Sequence, residues 1–60
     1  MLPRWRVLRV VERFTVEQRV ALPLVVDSLP GIKLIERVRM VFQVSPLAAQ
    51  VRLGQLRVWL

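Results

Sequence analysis

The sequence predicts a mostly β fold with one short helix, in a single domain over residues 1–60. Three observations lead there. Twelve valines stand against three alanines, and β-branched side chains lose rotamer freedom in helices but suit the pleated surface of a strand. Residues 38–44, Val-Arg-Met-Val-Phe-Gln-Val, alternate, so that Val38, Met40, Phe42 and Val44 share one face. Pro23 stands where a second helix would need its interior, and proline removes a helical donor.

Pro3, Pro23, Leu29-Pro30-Gly31, Ser45-Pro46 and Gly54 divide the chain into four apolar blocks. The first, residues 5–14, also reads as an amphipathic helix. Val7, Leu8, Val10, Val11 and Phe14 fall on one arc, opposite Arg6, Arg9, Glu12 and Arg13. The second, residues 20–26, is the longest run free of both charged and polar side chains and ends at Asp27. The third carries the alternation just described. On a helical wheel it instead sets Leu34, Ile35, Val38, Val41 and Phe42 against Lys33, Glu36, Arg37, Arg39 and Gln43. The fourth alternates up to Gly54 and again over residues 56–60, with Gly54 suited to a turn or bulge. Ser45-Pro46 also has the form of a helix N-cap followed by proline at the first helical position. An all-α arrangement of amphipathic helices is therefore the alternative fold.

Composition narrows the function. Hydrophobic residues make up 55% of 60, more than a chain of this size can hide, since such a domain buries only about 60% of the surface its unfolded chain exposes. An oligomer, or a subunit of something larger, is expected. Cys and His are both absent, which removes thiolate sites, the commonest metal ligand and the commonest general base. Glu12, Glu17, Asp27 and Glu36 show no paired spacing, and neither serine has a His partner. Glu17 with Asp27 is the one conceivable Mg²⁺ pair and is a weak one. The expectation is a non-enzymatic protein with no cofactor and no metal.

Ten basic residues, nine of them Arg, oppose four acidic ones, for a net charge of +6. Such a balance points to nucleic acid, an anionic membrane surface or an acidic protein partner. Arg matches phosphate with a planar fork, although Arg4, Arg6, Arg9 and Arg13 also read as a plain solvated face. No apolar run approaches the roughly 20 residues that span a bilayer. Arginines interrupt any signal-like apolar core near the N-terminus, and Glu12 argues against a mitochondrial presequence. A cytoplasmic protein without a transmembrane segment is expected. Trp5 and Trp59, near the two ends, are read as packing residues rather than stacking platforms.

One stretch carries a motif. Arg19-Val20-Ala21-Leu22-Pro23 is followed by Leu29-Pro30-Gly31-Ile32, by Glu36, and by the alternating residues 38–44. This resembles the AbrB/MazE/SpoVT swapped-hairpin family of small DNA-binding proteins, over residues 10–44 in register. Residues 11–14 stand at the place of that family's first strand, and residues 54–58 resemble its Gly-led last strand. The sequence departs from the pattern at Gln18 and Ile35, where the family has Gly, and at Pro30, inserted into the Leu-Gly step. The resemblance implies a swapped-hairpin small barrel closed by two chains. It implies a homodimeric DNA-binding transcription regulator, or an antitoxin-like protein, with Arg9, Arg13 and Arg19 on the DNA phosphates. Glu12, at a place often basic, weakens that expectation. The alternative function is a small structural or adaptor subunit that docks by its apolar faces on a larger complex or an anionic membrane surface.

Overall fold

Val7, Val11 and Phe14 recur at i, i+4 and i+7, Leu34 and Val38 at i and i+4, and Ala49 and Leu53 likewise. All seven are buried. Each set is one stripe of a helix. In the computed structural model, which describes residues 3–60, three helices carry these stripes. They are α1 (Arg4–Gln18), α2 (Leu29–Phe42) and α3 (Pro46–Gln55). Leu24 and Val58 complete the core. Val10, Ile35, Phe42, Leu56 and Trp59 pack against it half-buried.

Serine side chains start α2 and α3, while α1 begins after Pro3 with no side-chain cap. Ser28 caps α2 by accepting from the Gly31 N–H at 3.3 Å, with Pro30 in the first turn. Ser45 caps α3 by accepting from the Ala48 N–H at 3.1 Å, with Pro46 opening the helix. The Ser45-Pro46 reading of the sequence thus holds. α1 and α2 end on residues in the left-handed conformation, Arg19 at φ 54° and Gln43 at φ 54°. After Arg19 the Val20 N–H donates to the Thr15 carbonyl at 3.1 Å, and after Gln43 the Val44 N–H donates to the Arg39 carbonyl at 3.2 Å.

Three residues, Gln43, Val44 and Ser45, join α2 to α3. The longer connection over residues 19–28 runs from α1 to α2 and contains the cis Leu22–Pro23 peptide. It is pinned to the C-terminal segment through Leu24. The Leu24 N–H donates to the Val58 carbonyl, and the Leu60 N–H to the Leu24 carbonyl, both at 2.8 Å. This leaves a single parallel bridge between Leu24 and Trp59. Trp59 is fixed further by its indole N–H, which donates to the Gln50 carbonyl at 2.9 Å. Arg37 joins α2 to α1 by donating to Glu17 at 2.9 Å and lying over the Phe14 ring.

The expected mostly β fold and swapped-hairpin barrel are therefore incorrect. The chain is all-α, and among the described residues the parallel bridge is the only strand-like pairing. The family's first-strand position lies inside α1, its alternating strand runs from the last turns of α2 into the connection to α3, and its Gly-led strand spans the end of α3 and the residues after it. The physical reason is the size of the competing terms. A valine costs a helix at most about 0.7 kcal/mol relative to alanine. Burying its side chain gains about 1.5–3 kcal/mol, and Val7, Val11 and Val38 are buried at helical spacing. The alternation over residues 38–44 is a coincidence of two periods. Val38 and Phe42 satisfy both i, i+2 and i, i+4 counting, but Met40 between them is 67% exposed. Pro23 sits in the connection before α2, where it interrupts nothing. The helical alternative described the first and third blocks as helices correctly but placed Leu8 and Val41 on their inward arcs, where they are 36% and 54% exposed.

Candidate functional site

Nine apolar side chains are buried, while twelve large ones stay exposed among the described residues. Single exposed apolar residues are ordinary, but contiguous patches mark interaction surfaces. Two clefts hold four of the twelve, Leu47 and Val51 in one and Trp5 and Val41 in the other.

The first lies beside α3. Ala49 and Leu53 face inward, which turns Leu47 and Val51 outward at 69% and 53% exposure. With Val44, Ser45, Ala48, Arg52 and Gln55 they line a cleft of about 540 Å³. Arg52 is the one charged residue in α3, and it donates to Gln55 at 3.0 Å. A helix that is apolar on both its inner and outer sides has the character of a buried helix, not a surface one. Sequence reasoning missed this face. The signal was present as one charge in ten residues, but reading the region as alternating strand hid it.

The second cleft, of about 380 Å³, lies between α1 and the C-terminal end of α2. α1 supplies Trp5, Arg6, Arg9, Val10 and Arg13, and α2 supplies Val41 and Phe42. Arg6, Arg9 and Arg13 are spaced by three and four residues. At about 100° and 1.5 Å per residue they share one face and span about 10 Å. The Arg6 guanidinium lies 5.5 Å from the centroid of the Trp5 ring. Trp5 is 63% exposed, so its expected packing role does not extend to the core, whereas Trp59 packs against it as expected.

Of the three expected phosphate contacts, the structure brings Arg9 and Arg13 together on this face. Arg19 is separate: it occupies the left-handed cap of α1 and does not line the cleft. Two of the three cations on α2 are engaged, Arg37 with Glu17 and Arg39 with Glu36. The hydrogen bond from Arg39, one turn away, holds the exposed Glu36 carboxyl below the ordinary carboxylate range and raises Arg39 in return. Among the described residues no three acidic, His or Cys side chains gather at a metal-binding distance. No described helix is long and apolar enough to cross a membrane. No protein family, curated protein or solved structure matches the chain.

Proposed function

We propose that this chain is a non-enzymatic docking module, a three-helix unit completed by packing the outer face of α3 on a larger protein assembly. The observation that carries the reading is the two-sided apolar character of α3, with Leu47 and Val51 exposed opposite the buried Ala49 and Leu53. A polar partner surface would leave those side chains wet, whereas an apolar one removes them from water at about 25 cal/mol per Å². The excess of apolar composition over core capacity supports the same reading, because the surplus residues lie on the surface.

A regulator that reads DNA fits the geometry less well. α2 and α3, joined by three residues, have the connectivity of a helix–turn–helix. DNA-binding versions lay the second helix in the major groove and present polar side chains to base edges. Here Leu47 and Val51 hold the centre of that helix's outer face, with Gln50 and Gln55 at its flanks. The cationic column lies on α1 instead.

Sedimentation equilibrium tests the reading. Without its assembly, the isolated chain is expected to use the α3 face on a second copy and sediment as a dimer or larger at micromolar concentration. Leu47→Glu with Val51→Glu should return it to a 7.0 kDa monomer with unchanged far-UV circular dichroism. A monomeric wild type would overturn the reading. So would duplex DNA binding whose log affinity falls with log salt at a slope of roughly −5, the value for six phosphate contacts.

A further inference from the structure

The groove between α1 and α2 is chemically asymmetric. One bank is a column of three guanidinium groups, Arg6, Arg9 and Arg13, none of them ion-paired among the described residues. The other bank, Val41 and Phe42, is apolar, with Val41 54% exposed. Val10 lies between the two, and Trp5 closes one end. The neighbouring α2 cations, Arg37 and Arg39, are held by Glu17 and Glu36 and add no free charge to the apolar bank.

We infer that this groove is the docking site for an acidic amphipathic helix of a partner protein. Charge complementarity selects the occupant. The column extends over about 10 Å, which is seven residues of a helix lying alongside it. Carboxylates seven residues apart, with a third between them at i+3 or i+4, therefore meet all three arginines. The adjoining apolar stripe of the same helix covers Val10, Val41 and Phe42, as in helix-in-groove recognition. Trp and Arg are also the residue types on which binding energy concentrates at protein interfaces.

A nucleic-acid strand fits worse. It combines a continuous line of phosphates with bases that stack on aromatic faces. The only exposed aromatic face here is Trp5, which already has Arg6 over it, and the rest of the apolar lining is largely aliphatic. The inference is independent of the α3 face, because the two clefts share no lining residue.

The test is fluorescence anisotropy with a labelled helical peptide of about 18 residues. It carries leucines at i, i+3, i+4 and i+7 and glutamates at i+1, i+5 and i+8 on the flanking face. A scrambled peptide of the same composition and a thymidine dodecamer serve as comparisons. The ordered peptide should bind about tenfold more tightly than the scrambled one. Arg9→Glu with Arg13→Glu should weaken it about tenfold or more, and Arg9→Gln with Arg13→Gln by less, in chains of unchanged helicity. Val41→Glu should weaken it as well. Leu47→Glu with Val51→Glu should leave it unchanged, so failure here and failure of the α3 reading are separately visible. Equal binding of the scrambled peptide, indifference to the arginine variants, or tighter binding of the dodecamer would overturn the inference.

Discussion

Gly31→Ala is the substitution at which this fold reverses an ordinary rule. Gly31 lies in the first turn of α2, is buried, and has an ordinary negative φ. Alanine in a helix is favoured over glycine by about 0.8–1.0 kcal/mol, so the sequence alone recommends the change. A Cβ at this position would stand 2.4 Å from the Val25 carbonyl oxygen and 3.0 Å from that of Val26. Both are backbone atoms of the connection that leads into the helix. The Val25 carbonyl already accepts the Ser28 N–H at 3.0 Å and the Ser28 hydroxyl. Relief therefore requires the connection to move away from α2, at the expense of the Ser28 cap. Overpacking costs about 1–3 kcal/mol, and a clash with two carbonyls places this site at the upper end. Subtracting the propensity gain leaves a net loss of about 2 kcal/mol. That is a large part of the roughly 3–9 kcal/mol available to a 60-residue domain, and it lowers Tm by about 8–16 °C. Thermal and urea unfolding followed by circular dichroism at 222 nm would measure it. A variant as stable as the parent, or more stable, would refute the close approach of the connection to α2.

Four further outcomes follow from the same structure. Gln43→Gly should stabilise the chain by about 1 kcal/mol in urea titrations, because Gln43 holds a left-handed conformation that costs a side-chain-bearing residue about 1–2 kcal/mol. Ser45→Ala should cost about 1 kcal/mol by removing the acceptor of the Ala48 N–H, with hydrogen exchange accelerating first in α3. Phe14→Ala should cost about 3–5 kcal/mol, and Phe42→Ala clearly less, since Phe14 is fully buried and Phe42 only half. The Glu36–Arg39 pair contributes only while Glu36 is ionised. Its depressed folded-state pKa makes that contribution complete above the ordinary carboxylate range and lost as pH falls through the lowered value. Glu36→Gln should therefore lower stability slightly at neutral pH, leave it unchanged in acid, and so flatten the acid limb by that same small amount.

What the sequence made legible divides along physical lines. Short-range signals were reliable: Ser45-Pro46 caps α3, and the wheels over residues 5–14 and 34–43 point Val7, Val11, Phe14, Leu34 and Val38 inward. Valine content misled because its helical penalty is local and small, while the burial that outweighs it depends on what the helix meets. The pinning of Leu24 by Val58 and Leu60 joins segments far apart in the chain, and no local pattern announces it. For the site, the common face of Arg9 and Arg13 was visible from their i, i+4 spacing. Arg19 was not separable from them, because only the left-handed cap turns the chain away there. The α3 face needed the inward stripe of Ala49 and Leu53 to be known before Leu47 and Val51 stood out as surplus.

The central claim, that the outer face of α3 is an apolar docking surface, is tested most directly by a polarity-sensitive fluorophore placed on it. The chain contains no cysteine, so Val51→Cys gives a single labelling site in the α3 cleft and Arg13→Cys a single site on the cationic face. As unlabelled protein is added through the micromolar range, emission from position 51 should move to the blue while emission from position 13 stays constant. A constant signal at position 51, or a shift confined to position 13, would contradict the account.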